Sequence, residues 1–158
     1  MPDVLRPATA ADAELLFSWA NDPETRARSF SGTAITWSDH LQWFTALLAD
    51  TERALWLLES DGRAVASIRF EPFGDRARVS VQVAPGERGQ GHGRRVVAEA
   101  SALYVSASGR GLLAEVKPDN AASIAVFEAA GFHRAADQVD GARRYVLEPV
   151  RSGGDGAD

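Results

Sequence analysis

The sequence predicts a single α/β domain, a mixed sheet with helices packed on it. Three observations lead there. The 158 residues suit one domain with one core. Hydrophobic residues make up 45% and charged residues 25%, the balance of an ordinary globular chain. Segments of strand-like and helical pattern follow in the order strand, two helices, three strands, helix, strand, helix, strands.

Leu5 opens a short strand. Thr9 with Asp12 forms a capping-box pair that starts a helix striped by Leu15, Leu16 and Trp19. Asn21-Asp22-Pro23 ends it, because proline disfavours helix in the residue before it. Thr36 with Asp39 starts the next helix, striped by Leu41, Phe44, Leu47 and Leu48. Ala54 to Glu59, Ala64 to Phe73 and Ala77 to Ala84 read as an antiparallel meander. Its turns are Asp61-Gly62 and Gly74-Asp75. A Gly-rich loop, Gly86 to Gly93, runs into a long helix striped by Val96, Val97, Ala100, Leu103 and Tyr104. Leu112 to Val116 is a strand. Asn120 caps a helix that ends at Gly131, expected in the left-handed conformation. Two last strands surround Ala135 and Tyr145 to Leu147. The domain is expected to span residues 1–150. The Gly/Asp-rich tail, 151–158, is expected to be disordered.

Several function classes drop out. With no cysteine there is no disulfide, no thiol nucleophile and no Cys-based zinc site. His40, His92 and His133 are scattered without ligand spacing, so no metal is expected. A net charge of -5 argues against nucleic acid as a partner. No apolar run approaches the roughly 20 residues that a membrane helix needs, and no signal core follows the N-terminus. A cytoplasmic protein without a membrane partner is the expectation.

The chemistry concentrates in Arg88-Gly89-Gln90-Gly91-His92-Gly93-Arg94-Arg95, between a strand and a helix. Glycines let backbone amides approach a ligand, and a helix N-terminus favours phosphate. Arginines add positive charge. The loop reads as a pyrophosphate cradle. It fails the dinucleotide pattern G-x-G-x-x-G, because Arg94 stands at the sixth position from Gly89, and it lacks the G-K-[ST] of a Walker loop. It satisfies R-x-x-G-x-G through Arg88, Gly91 and Gly93. A second element runs from Val116-Lys117-Pro118-Asp119-Asn120 to Phe127-Glu128-Ala129-Ala130-Gly131-Phe132.

Together the two elements resemble the acetyl-CoA site of the GNAT superfamily of N-acetyltransferases, over roughly Leu5 to Leu147. The resemblance implies a mostly antiparallel sheet of six or seven strands, splayed in the middle, with about four helices. Acetyl-CoA would lie in the splay as cosubstrate. The amides from Gly89 through Gln90, Gly91, His92 and Gly93 to Arg94, with Arg88, would hold the pyrophosphate. Backbone groups of Val81 and Val83 would pair with the pantetheine arm, and an amide there would polarise the acetyl carbonyl. Asn120 would either meet the arm near the thioester or simply cap its helix, and Ser123 and Phe127 would line the same site.

The implied reaction is direct attack of a neutral amine on the thioester. The Tyr that many members use as acid is Phe127 here, and a phenyl ring donates no proton. Tyr145 or water-mediated Ser123 could replace it, or no acid is needed for a thiol of pKa about 8.5. Glu71, His40 and Glu115 are the candidate bases. The acceptor is expected to be a small-molecule amine bound by the first two helices and their connection. That stretch holds Arg26, Arg28, Ser29, Phe30, Ile35, His40, Trp43 and Phe44. It is similar to the N-terminal part of bacterial acetyltransferases of UDP-linked 4-amino sugars in pseudaminic acid synthesis. That likeness assigns Arg26 and His40 to a diphosphate or base edge and Trp43 to stacking on the base. A ribosomal-protein N-terminal or other small-amine acetyltransferase is the alternative, and a non-catalytic CoA-binding sensor a third. Monomer and homodimer both remain open.

Overall fold

The computed structural model describes residues 3–28, 30, 33–136 and 141–149. The expectations placed on Ser29 and on the 151–158 tail lie outside the described residues. Seven strands form one sheet: β1 (Val4–Pro7), β2 (Ala54–Ser60), β3 (Arg63–Phe73), β4 (Arg76–Val83), β5 (Gly111–Val116), β6 (His133–Arg134) and β7 (Arg143–Leu147). Their order is β1-β2-β3-β4-β5-β7-β6, antiparallel throughout except for the β4–β5 pair. Five α-helices accompany them: α1 (Ala13–Ala20), α2 (Pro23–Arg28), α3 (Trp37–Ala49), α4 (His92–Ser108) and α5 (Ala121–Ala129).

The meander forms as its turns dictate: Asp61 and Gly62 both take positive φ, the geometry of a tight hairpin. Two cores flank the sheet. Val96, Val97 and Ala100 of α4 are fully buried against Ile68 and Phe70 of β3, and Tyr104 stacks on Phe70 at 4.4 Å. On the other face, Leu16 and Trp19 of α1 meet Phe44 and Leu47 of α3 over Leu55 and Leu57 of β2. The capping pairs are present. The Thr9 amide donates to Asp12 at 2.8 Å, and the Asp39 amide to Thr36 Oγ1 at 3.2 Å. Arg6 of β1 grips both oxygens of Asp12, at 2.9 and 3.0 Å, and Glu59 of β2 at 3.0 Å, which seats the start of α1 on the sheet.

Several expectations are corrected. Thr9 and Asp12 frame a 3-10 turn, Ala10–Asp12, and α1 follows it. The buried faces are narrower than the apolar stripes: Leu15, Leu41, Leu48 and Leu103 are exposed. The first-to-second helix connection contains a helix of its own. Asp22 accepts from the Thr25 amide at 3.2 Å as its cap, and Pro23 opens it where a missing N–H costs nothing. The penultimate strand is His133–Arg134 rather than a run around Ala135.

Candidate active site

β4 pairs with β5 at only three positions, Arg76 with Gly111, Ala77 with Leu112 and Arg78 with Leu113. Beyond them β4 continues to Val83 against β3, and β5 continues to Val116 against β7. The two strands therefore part after Arg78 and leave a V-shaped gap. Backbone groups along its sides have no strand to bond, and such groups need a partner. A cleft of about 860 Å³ fills this gap, with Val81, Val83, Glu115 and Asn120 in its walls.

The Gly-rich loop closes one end. Gly91 is the N-cap of α4 with φ 82°, a conformation that side-chain-bearing residues resist. A Cβ on Gly93 would come within 3.3 Å of Val83, so glycine lets α4 sit against β4. Seventeen residues of α4 aim their N-terminus at the cleft. Gly89, Gly91, His92, Gly93 and Arg94 all line it, whereas Gln90 is exposed and does not. His92 is buried. Arg95 donates to its Nδ1, while its Nε2 lies 3.4 Å from Glu87 without a hydrogen bond.

Arg88 has a second set of partners. Its guanidinium meets Asp22 at 3.1 Å, Thr25 Oγ1 at 3.0 Å and Glu24, so it clasps α2 to the loop. Burial pushes the Asp22 carboxyl up, but the Arg88 and Thr25 hydrogen bonds outweigh it and hold the group below its usual range. Lys117 anchors the far end of α2, donating to the Ala27 carbonyl at 3.3 Å. α2 thus bridges the two strands across the mouth of the gap. Arg94 is exposed and has no ion pair among the described residues, which leaves its guanidinium open to a phosphate.

Asn120 serves as a cap, with Oδ1 accepting from the Ser123 amide at 3.2 Å, and the residue lines the cleft. Ser123 and Phe127 line the cleft too, Phe127 packing edge-on against Phe132 at 5.1 Å.

Residues 4–133 match the acetyltransferase (GNAT) domain family. The chain belongs to that family. Similar solved structures agree. A ribosomal-protein-alanine N-acetyltransferase from Brucella melitensis has 26% identity and a TM-score of 0.76, covering 91% of this chain and 97% of that one. Spermidine N-acetyltransferase from Vibrio cholerae, solved with CoA and spermine, has 13% identity and a TM-score of 0.80, with coverage of 92% and 93%. An aminoglycoside acetyltransferase solved with coenzyme A and kanamycin has 17% identity and a TM-score of 0.77, with coverage of 95% and 96%. The last two likenesses bear on fold alone. No curated protein matches the sequence.

The remaining expected site residues fall elsewhere. His40 is buried, bonded through Nε2 to the Ala13 carbonyl at 2.9 Å and stacked on Phe44 at 5.8 Å. It joins α3 to α1. Trp43 packs beside it, half-buried, and carries the Arg69 guanidinium over one face of its ring at 5.1 Å. Arg26 donates to the Ala20 carbonyl at 2.6 Å and the Thr33 carbonyl at 3.3 Å, fastening α2 to its flanks. Tyr145 is 1% exposed within the α4-side core. Glu71 is tied to Arg69 at 3.2 Å and Arg53 at 3.8 Å. None of these five lines the cleft. Glu115 does. It is held by Arg78 at 3.1 Å and Arg144 at 3.3 Å. Among the described residues no group of histidines and carboxylates could hold a metal ion, and no helix is long and apolar enough to cross a membrane.

Proposed function

We propose that this chain is an N-acetyltransferase that moves the acetyl group of acetyl-CoA to a primary amine in a single direct step. The observation that carries the reading is the three-position pairing of β4 with β5, which leaves an unpaired strand edge leading from the amides before α4. An extended arm with amide groups and a pyrophosphate at one end fits such a cleft. Acetyl-CoA supplies the activated acyl group as a thioester.

The loop from Gly89 to Gly93 and the Arg94 side chain would hold the pyrophosphate. Backbone groups of Val81 and Val83 would align the arm, and one amide would polarise the acetyl carbonyl. Asn120 would donate to the arm from the opposite wall. Of the three carboxylate and imidazole candidates, Glu115 alone borders the cleft. It would take the proton from the incoming amine, directly or through water, while Arg78 and Arg144 keep it in place. No acid is assigned to the departing thiolate, since a thiol pKa of about 8.5 makes it a tolerable leaving group.

A nucleotide-linked amino sugar loses support from Arg26, His40 and Trp43, which are engaged in packing, whereas Arg28 stays in the cleft lining, paired with Glu24. The likeness to the Brucella enzyme supports a peptide α-amine as one acceptor. Free-thiol release from acetyl-CoA is the test, and a protein without cysteine adds no background. Release that depends on an added amine is expected. CoA binding without release over peptides, amino sugars, polyamines and aminoglycosides would replace the enzyme reading with a CoA-binding sensor.

A further inference from the structure

The acceptor side of the sheet carries more positive charge than the proposed reaction uses. Register places Arg69 opposite Ser80 and Glu71 opposite Arg78 across β3 and β4, and Glu115 opposite Arg144 across β5 and β7. Period-two alternation then puts Arg69, Glu71, Arg78 and Ser80 on one face, which is the face of Trp43 and α3. Arg53 joins them through Glu71. Among the described residues four guanidiniums, Arg53, Arg69, Arg78 and Arg144, therefore share two carboxylates of the sheet, Glu71 and Glu115, and only Arg53 has a further one, in Asp50 at 2.9 Å.

Two of these guanidiniums stand one hydrogen bond behind the cleft wall. Arg69 donates to Ser80 Oγ at 3.3 Å, and Arg78 contacts Glu115 at 3.1 Å, and both Ser80 and Glu115 line the cleft. Arg78 is not fully answered. The buried Nε of Arg78 has no hydrogen-bond partner, its guanidinium lying over the Phe73 ring at 4.1 Å. Burial, and then the positive fields of Arg53 and Arg78, hold the Arg69 guanidinium below its usual range despite Glu71. An anion placed there would relieve both conditions. A polycationic acceptor would meet like charge.

We infer that the acceptor is an amine that also carries an anionic group, carboxylate or phosphate, and that Arg69 and Arg78 form its anion subsite. This deepens the acetyltransferase reading and rests on it for the position of the amine. Arg78 precedes Val81 by three strand residues, so acid and amine are separated by on the order of 10 Å or less. The acceptor is thus small and zwitterionic or phosphorylated at a distance, or is an acidic peptide end. Arg69 acts in recognition alone, whereas Arg78 also holds Glu115, so the ratio within a pair, in which a shared loss of kcat cancels, is what reports on the subsite.

Matched acceptor pairs test this. Glucosamine 6-phosphate is compared with glucosamine, and Ala-Glu-amide with Ala-Gln-amide, by thiol release from acetyl-CoA. The acidic member of one pair is expected to have at least a tenfold higher kcat/KM, and the pair that shows it distinguishes sugar phosphate from peptide. That ratio is expected to fall tenfold or more in Arg69→Gln and in Arg78→Gln, and partly to recover in Arg78→Lys, with the acetyl-CoA KM unchanged. Equal rates within both pairs, or a ratio that survives both substitutions, would overturn the inference. Calorimetry separates this from failure of the cofactor reading. CoA is titrated first. Inorganic phosphate is then titrated into wild type and the Arg69→Gln/Arg78→Gln double variant with CoA saturating. Phosphate binding in wild type alone supports the subsite even if no acceptor turns over. Absence of phosphate binding in CoA-saturated wild type contradicts it, whereas absence of CoA binding contradicts the acetyltransferase reading.

Discussion

The α4 side of the cleft offers a ligand main chain: glycine-shaped turns, a helix N-terminus and an unpaired strand edge. The α2 and α3 side offers long side chains whose ends are engaged within the protein. Arg88 clasps α2, Arg26 fastens it, His40 joins two helices, and Arg69 rests on Trp43. A backbone cradle depends on a few φ angles and is nearly the same for any sequence that adopts them. A side-chain wall can be rewired by single substitutions. The contrast fits a fold whose donor is constant while its acceptors range, among the similar structures, from a polyamine to an aminoglycoside.

The comparison can be broken at either wall. The largest effect is expected from Gly91→Val. A side chain at φ 82° and a disturbed amide cradle together forfeit about 3 kcal/mol, a roughly 100-fold rise in acetyl-CoA Kd by calorimetry. A change below about threefold would show that the cradle does not need that turn. Next, Glu115→Gln is expected to lower kcat about 100-fold with CoA affinity retained. Unaltered turnover would remove the base assignment.

Asp12→Asn tests how the acceptor wall is seated. The Arg6 hydrogen bonds, together with the Thr9 amide, outweigh burial and keep the Asp12 carboxyl below its ordinary value. A depressed folded-state pKa contributes stability above that value and loses it as pH falls through the folded-state pKa. The variant should therefore be about 2 kcal/mol less stable at pH 7, with the difference shrinking towards pH 2, as followed by urea denaturation. A difference that grows on acidification would contradict the assigned pair. The smallest effect is that of His40→Phe, about 1 kcal/mol from one lost hydrogen bond, with acceptor KM unmoved. A raised acceptor KM would return His40 to the binding site.

The same division explains what the sequence let one read. Gly91 and Gly93 have few reasons to stand two apart before a helix, and the meander announces itself through Asp61-Gly62 and the alternation from Val79 to Val83. Asn120 and Gly131 mark both ends of α5, and Gly131 does take the left-handed conformation at φ 95°. Arg26, His40 and Trp43 gave no such lead, since an arginine that binds a carbonyl and one that binds a phosphate are the same letter. The helix at Pro23 is legible as Asp-Pro, a cap followed by a first-turn proline, although the same pair also signals the stop of the helix before it. The arginine face needed strand register, which brings together residues as far apart as Arg69 and Arg144. The arginines proposed for an anionic acceptor lie on β3 and β4, while Arg28 stays in the cleft lining, paired with Glu24.

The central claim is that the acetyl donor lies in the gap between β4 and β5. Hydrogen exchange of backbone amides with and without CoA tests it most directly. CoA is expected to slow exchange within Val79 to Val83 and Gly89 to Gly93 and to leave β1 and β2 unchanged. Bound CoA that leaves the β4 amides exchanging at their free rate would contradict it.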